Sequence, residues 1–292
     1  MSRNFNLPEW NETAYLESYS VGYFDAADLF ARNAQRIELE CGTPDDLSKV
    51  NRQAADDHFS YVAGSIFMAN ASLSAAIDEV FRDADRLGKH PNAQTNLNQL
   101  QSNAVKTMAK ARKANAIELS KYLGLYNVIE NTAARACKKD PHVVCLPQYE
   151  NWFLVDKFQL ALYLADLNNF EKTFDLTDNV WKNAVCLRKL RNYLVHYEPE
   201  WIKYTHSDAS YDAKNKTKVA MNCLKDRGFK NKLYPKDARL REGRMKVRLG
   251  ADCAEWAVNS SSDFLYEFYE RMPINDLKFL IRDRRTYKTR IF

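Results

Sequence analysis

Three side chains that could together cleave a phosphodiester lie within a stretch of six residues. Arg191 carries a permanent positive charge, Asn192 an amide and His196 an imidazole. An imidazole can take a proton from a ribose 2′-hydroxyl near neutral pH, and a guanidinium can hold the phosphate and neutralise its developing charge. The amide can orient either group. These residue types therefore predict RNA cleavage that requires no metal ion.

A purely structural interpretation of the same residues is also open. An arginine and a histidine five positions apart occur often by chance. The pair could cap a helix end, or it could bind a neighbouring carboxylate such as Glu198 or Glu200. The spacing alone does not choose between catalysis and this structural role.

The helix that carries these residues is predicted from about residue 178 to about residue 197. Pro199 ends it, because a proline biases the preceding residue away from helical angles. Leu187, Leu190 and Leu194 share one face of this helix and should pack into the protein.

A second, polar face carries Arg188, Asn192 and His196, which follow one another at steps of four residues. Arg191 and His196 are about 140° apart around an ideal helix and do not naturally face each other. Either the long side chain of Arg191 reaches around the helix, or two chains complete one site. A two-fold dimer would bring two arginines and two histidines to one cleft.

The rest of the chain is also predicted to be helical, which makes the fold class all-α. Only 8 glycines and 8 prolines in 292 residues argue against a loop-rich β-sandwich. The strongest helical pattern is 56–87, where apolar residues recur every three or four positions from Ile66 to Leu87. One or two helices are predicted at 14–36. Further helices are predicted at 93–112, 114–136, 152–167 and 252–272, with a break at 138–147.

Some side chains of these helices are assigned to the core and others to the surface. The helix at 14–36 is expected to bury Phe24, Leu29 and Phe30, and the helix at 93–112 is expected to have a thin apolar face through Leu97, Leu100, Val105 and Met108. Asp78 and Glu79 are expected on a solvated face, although inward carboxylates could instead orient a catalytic histidine.

Two basic segments suggest a polyanionic partner. Residues 211–250 hold 13 Lys/Arg against 4 Asp/Glu and residues 278–292 hold 6 against 1, whereas the whole chain carries only +5. RNA is the predicted partner, and the segment 206–250, expected to be extended or partly mobile, would follow its backbone. The predicted RNA-binding side chains are Arg188, Lys214, Lys216, Lys218, Lys230, Lys232, Arg239, Arg241 and Arg244. A solvated basic loop and tail is the alternative.

Composition also narrows the cellular setting. No run approaches about 18 uninterrupted apolar residues, so no transmembrane helix is predicted. The first residues lack the apolar core of a signal peptide. The six cysteines are scattered, which suits reduced thiols better than a disulfide framework. We therefore expect a cytoplasmic protein with no membrane partner.

One group of cysteine and histidine residues has the ligand atoms of a zinc site, but a zinc site is not predicted. Cys137, His142 and Cys145 have suitable ligand atoms, but they supply three ligands rather than four and match no standard finger spacing. Two buried thiols near a turn are the alternative. No metal ion and no cofactor are predicted.

The stretch 187–201, LRKLRNYLVHYEPEW, resembles the signature helix of HEPN proteins, the higher eukaryotes and prokaryotes nucleotide-binding family. The hallmark of that family is Arg-polar-x-x-x-His, which Arg191, Asn192 and His196 match. The Tyr-x-Pro-Glu-Trp that follows the histidine resembles a prokaryotic subgroup. Three further segments resemble the other helices of the family: 60–81, 152–164 and 251–268. The resemblance covers roughly residues 60–272 and leaves 1–50 and 88–149 unexplained.

The resemblance implies an HEPN-like helical bundle with extra N-terminal helices and a basic insertion before the last core helix. One domain is expected over 1–272, followed by a basic tail at 273–292. Its core helices would lie near 56–87, 152–167, 178–197 and 252–272, with insertions at 88–149 and 206–250. HEPN bundles dimerise with their motifs facing each other, so a homodimer is expected.

The resemblance also implies an activity. Many HEPN proteins are metal-independent RNases of toxin–antitoxin, abortive-infection and other defence systems, which predicts an endoribonuclease with a composite dimer site and an antitoxin or regulatory protein as a candidate partner. By the resemblance His196 is the general base or acid, Arg191 stabilises the transition state and Asn192 orients. Two alternatives stay open: a non-catalytic module that binds nucleotide, RNA or a partner protein, and a helical adaptor with no nucleic-acid role.

Overall fold

The computed structural model describes residues 19–45, 49–89, 97–113, 154–166, 172–195, 224, 227–235 and 249–277. Of these residues, 82% are helical and none lies in a strand, so the predicted all-α fold class is confirmed. The predicted helix at 114–136 and the break at 138–147 lie outside the described residues.

Six α-helices and one short 3₁₀ helix are found in the described residues. The bounds are α1 (Tyr19–Cys41), α2 (Arg52–Lys89), α3 (Gln99–Lys113), α4 (Leu154–Ala165), α5 (Asn179–Val195), α6 (Ala251–Arg271) and the 3₁₀ helix Asn275–Leu277. Helix α2 is longer at both ends than the apolar pattern at 56–87 indicated. Helix α1 continues five residues beyond the predicted end at Arg36.

Helix α2 is the centre of the bundle and contacts each of the other five α-helices. Its apolar stripe is fully or almost fully buried, as the spacing of three and four residues requires. Gly88 lies near the end of α2, against α3. A Cβ added to Gly88 would lie 3.6 Å from the Cβ of Ala109 on α3, so the two helices are in van der Waals contact there. By length and composition alone α2 could also span a membrane, and 56% of its most apolar stretch is buried inside the bundle.

Helix α1 lies antiparallel to α2, and polar contacts mark both ends of the pair. Near one end, the Ser20 amide and hydroxyl donate to the Glu79 carboxylate at 3.0 and 2.7 Å. Near the other end, His58 contacts Glu38 at 3.1 Å. The expectation that Glu79 lies on a solvated face is therefore wrong, because its carboxylate binds the beginning of α1.

Helix α6 closes the bundle against α2, α4 and α5. The Ser65 hydroxyl of α2 donates to the Ala254 carbonyl at 3.3 Å. Farther along, Phe264 and Phe268 of α6 meet Phe158 of α4 edge-on, with ring centroids 4.9 and 4.8 Å apart. These contacts fix α6 beside α4, and Phe264 also lies 6.2 Å, between ring centroids, from Trp181 of α5, the helix that carries Arg191 and Asn192.

Two predicted core residues are exposed. Leu29 of α1 is 51% exposed and Leu100 of α3 is 64% exposed. On α1 the buried face is built from Phe24 and small alanines, and on α3 it is built from Ala104, Val105 and Met108. Both predictions are wrong because neither leucine lies on the buried face of its helix.

The basic insertion is packed where the structure describes it. Leu224, Leu233 and Leu249 are buried, and Leu224 and Leu249 belong to the main hydrophobic core. The expectation that 206–250 is extended or mobile is therefore wrong for residues 227–235, which lie against α1, α2 and α6. Isolated apolar residues in a basic sequence gave too little periodicity to indicate this packing.

Candidate functional site

Helix α5 presents Arg191 and Asn192 at the edge of the bundle. Leu187 and Leu190 are completely buried and hold α5 against α2 and α6, as the leucine spacing predicted. Tyr193 is buried as well, whereas Leu194 is only half-buried. In the same turn, Asn192 is exposed and Arg191 is half-buried.

Arg191 and Asn192 are joined by a hydrogen bond. Arg191 Nη1 donates to Asn192 Oδ1 at 3.1 Å. The bond uses one of the five guanidinium N–H groups, so the others can still bind phosphate oxygens. In the ranges that the structure describes, no carboxylate forms an ion pair with Arg191. The positive charge is therefore not neutralised by a described acidic side chain.

The third residue of the motif, His196, lies outside the described residues. It directly follows Val195, the last residue of α5. The position of His196 relative to Arg191 therefore stays a prediction. Glu198 and Glu200, which the structural interpretation would pair with the motif, are outside the described residues too.

The predicted RNA-binding residues divide into two groups. Lys214, Lys216, Lys218, Arg239, Arg241 and Arg244 lie outside the described residues. Of the others, Arg188 is half-buried on α5, and the Lys230 side chain is exposed. Lys232 Nζ lies 3.7 Å from Glu38 Oε2. An RNA phosphate would therefore have to compete with the Glu38 carboxylate for Lys232.

Arg227 ties the basic insertion to the motif helix, a role that the sequence did not single out. Its Nη2 donates to Asn183 Oδ1 of α5 at 2.6 Å. Its guanidinium carbon also lies 4.8 Å from the ring centroid of Trp256 on α6, a cation–π contact. Nothing in the sequence separates Arg227 from the other basic residues of the insertion.

Glu38 and His58 form a buried pair at the end of the bundle where α6 begins. Glu38 Oε1 lies 3.1 Å from His58 Nε2 and accepts the Ala251 amide at 2.9 Å. Burial alone would raise the pKa of Glu38, but hydrogen bonds from His58 and from the Ala251 amide outweigh it and hold that pKa below its ordinary value. The carboxylate thus stabilises the positive N-terminal end of α6.

This pair was not predicted from the sequence, although one signal was present. His58, Val62 and Ile66 follow one another at steps of four, so His58 lies on the buried stripe of α2. A histidine there must bury a polar ring and needs a partner. No comparable pattern points to Glu38, because its partners come from distant parts of the chain.

The structure describes no cluster of metal-binding side chains. Within the described ranges, no group of three or more His, Cys, Asp and Glu residues could hold an ion. Cys137, His142 and Cys145 lie outside those ranges. Among the cysteines that are described, Cys253 is completely buried, and burial raises the pKa of its thiol, which keeps it protonated and unreactive.

Comparison with known protein families, with curated proteins and with solved structures finds no match for this chain.

Proposed function

We propose that this chain is a metal-independent endoribonuclease of the HEPN type. It acts as a cytoplasmic homodimer in a prokaryotic defence or toxin–antitoxin setting, with RNA as its substrate and an antitoxin or other regulatory protein as a partner. Arg191 and Asn192 carry the proposal, because they are hydrogen-bonded to each other on an outward-facing turn. The histidine that completes the motif follows Asn192 by four residues.

The fold supports this proposal at the level of the helices. Helix α5 lies against α2 and α6 inside an all-α bundle, which is the setting that an HEPN signature helix requires. The basic insertion is bound to α5 through Arg227 and Asn183. A positively charged segment is thereby attached to the helix that carries the motif.

The proposed reaction is a transesterification. His196 takes the proton of a ribose 2′-hydroxyl, and that oxygen attacks the adjacent phosphorus. The bond from phosphorus to the 5′-oxygen breaks, and the leaving oxygen takes a proton from the second histidine of the dimer. Arg191 stabilises the charge on the phosphate oxygens, and Asn192 orients the guanidinium. The products carry a 2′,3′-cyclic phosphate and a 5′-hydroxyl.

The test is incubation of a structured RNA with purified protein in EDTA. The wild type should produce fragments that end in 2′,3′-cyclic phosphates, and an RNA with a 2′-deoxy sugar at the cleaved position should stay intact. His196→Ala and Arg191→Ala should each reduce the rate by about 100-fold or more. Arg36→Ala is the matched control, because Arg36 is an exposed arginine of α1 that pairs with Glu40 at 3.8 Å.

The outcomes separate the two functions that stay open. If Arg36→Ala cleaves normally while both motif variants fold and fail to cleave, the nuclease proposal stands. If the wild type binds RNA in a salt-sensitive manner but leaves it intact, a non-catalytic HEPN-like binding module is favoured. Cleavage that persists in a folded His196→Ala protein would reject the mechanism.

A further inference from the structure

We infer that the buried contact between His58 and Asn231 is an acid-sensitive latch that holds the basic insertion on the helical body. The latched segment is residues 227–235, the described part of the insertion between Leu224 and Leu249. The inference is independent of the proposed nuclease function, because it concerns only how this segment is bound.

Contacts to three helices hold the latched segment in place. The Lys230 amide donates to Asp252 Oδ2 of α6 at 3.0 Å, and the Lys232 amide contacts Glu38 Oε1 of α1 at 3.4 Å. Asn231 is 5% exposed and reaches His58 of α2, which is completely buried. His58 is thus a polar contact through which the segment binds the central helix, beside the packing of Leu233 in one cluster with Ala55.

The hydrogen bonds around Asn231 fix the orientation of its amide. Asn231 Oδ1 accepts the Leu233 amide at 3.0 Å, so this atom must be the oxygen. Asn231 Nδ2 lies 3.4 Å from the Leu249 carbonyl, which can only accept. The group that faces His58 Nδ1 at 3.5 Å is therefore an NH₂ donor.

The orientation of Asn231 in turn fixes the protonation of His58. Nδ1 faces a donor and must accept, so it carries no proton. Nε2 lies 3.1 Å from Glu38 Oε1, which already accepts the Ala251 amide, so Nε2 must carry the proton. The latched state thus requires a neutral His58 beside an ionised Glu38.

A proton added to Nδ1 would break the latch. It would place two donors, the new N–H and the Asn231 NH₂, against each other inside the protein. Glu38 from α1 lies 3.1 Å from Nε2, and Lys232 from the segment pairs with that carboxylate at 3.7 Å. Asp252 at the beginning of α6 binds the segment at the Lys230 amide. Because Nε2 keeps its bond to the Glu38 carboxylate, the clash at Nδ1 is relieved by displacement of Asn231 with its segment.

Two measurements test the latch on the full chain between pH 8 and pH 5. Nitrogen-15 NMR of labelled histidines reports which ring nitrogen of His58 is protonated, and His58→Gln identifies its signal. Hydrogen exchange, corrected for intrinsic rates, reports the opening of residues 229–234. Because each opening takes up one proton, exchange there should increase about tenfold for each pH unit within the acid range in which the latch opens.

The controls separate the latch from general acid unfolding. Exchange in the middle of α6, at residues 257–268, should not change over the same range. In His58→Gln the increase in hydrogen exchange of residues 229–234 with falling pH, here called the pH step, should vanish. Glutamine can still donate to Glu38 but takes up no proton in this range. If that variant does not fold, Asn231→Ala serves instead, with fast exchange of the segment at every pH. Lys49→Met, which removes an exposed pair with Asp45, should behave as the wild type does.

Three results would overturn the inference. The first is a doubly protonated His58 while residues 229–234 are still protected. The second is protection that does not change as His58 titrates. The third is a pH step that persists in the folded His58→Gln protein, which would assign the step to Asp252 instead.

Discussion

Neighbouring residues on a helix point about 100° apart, so the contact between Arg191 and Asn192 depends on the length of the guanidinium side chain. That side chain bends along the helix surface until Nη1 reaches the Asn192 amide oxygen. The same reach would be needed to bring the charge toward the predicted position of His196. Asn192 thus serves as a support that holds the arginine on the outward face of α5.

Replacing Arg191 by lysine should separate binding from cleavage. Lysine keeps the positive charge but loses the planar fork that can hold two phosphate oxygens and the Asn192 amide together. We expect RNA affinity within about threefold of the wild type and a cleavage rate lower by about 30-fold or more. Single-turnover kinetics with saturating protein would measure both. Equal losses of affinity and rate would argue that Arg191 only binds.

Gly250 is constrained by space rather than by backbone angles. It precedes α6 with φ −91°, which any residue can adopt, but an added Cβ would collide with the Lys230 carbonyl. We expect Gly250→Ala to lower the free energy of unfolding by about 1–3 kcal/mol. Gly22→Ala, where nothing lies within 4 Å, should instead be neutral or stabilising by up to about 1 kcal/mol. Urea unfolding of both variants would measure their free energies of unfolding. Equal changes in the two variants would contradict the close approach of Gly250 to the Lys230 carbonyl.

At the scale of the elements, local sequence patterns predict the helices and their buried faces. They do not predict the polar contacts that connect one helix to another. The apolar steps in α2 and the leucines of α5 predict the buried faces, because a helix repeats every 3.6 residues. Glu79 and Glu38 could not be assigned from the sequence, since Ser20 and Ala251 lie 59 and 213 residues away from them. For the candidate site, the pattern predicted the helix and the outward position of Asn192, but not the Arg227 contact.

The Glu38 carboxylate should contribute to stability in a pH-dependent manner. Its pKa in the folded protein is lowered, so its contribution is fully present above the ordinary glutamate pKa and is lost as pH falls through the lowered value. At pH 7 we expect Glu38→Gln to cost roughly 2–4 kcal/mol, because a buried acceptor of several donors loses its charge. Denaturant titrations at several pH values should show the difference shrinking in acid.

Asp83 provides a contrast on α2. It is also buried, but burial raises the pKa of its carboxyl, and Arg82 and Arg86 lie no closer than 4.0 Å. Its charge therefore opposes folding at neutral pH. Asp83→Asn should leave stability at pH 7 unchanged or higher by about 0.5–1 kcal/mol. A cost as large as that of Glu38→Gln would show that the attraction of Arg82 and Arg86 outweighs the burial of the Asp83 carboxylate.

At the scale of the whole molecule, we propose that two chains together complete the site. The angle of about 140° between Arg191 and His196 on an ideal helix favours an arginine and a histidine from different protomers. This proposal makes a prediction. Two inactive variants should complement each other.

Mixing Arg191→Ala and His196→Ala proteins, after unfolding and refolding them together, should restore part of the cleavage. A mixed dimer holds one intact arginine and one intact histidine, whereas neither variant alone supplies both groups. It lacks the second histidine that protonates the leaving oxygen, so the recovery should be partial. The activity of the mixture would be compared with that of each variant refolded alone. No recovery, together with a dimer shown by sedimentation, would contradict a site that one arginine and one histidine from different chains complete.

The central position of α2 has a consequence for synthesis on the ribosome. Helix α2 ends at Lys89 and α6 at Arg271, so nearly two hundred residues are added between them. At about 5–20 residues per second this takes roughly 10–40 s. Helix α1 is already made and can pair with α2 at once, but the flank of α2 around Ser65 waits for α6. The nascent chain therefore exposes an apolar surface, to which chaperones can bind, until α6 has been synthesised.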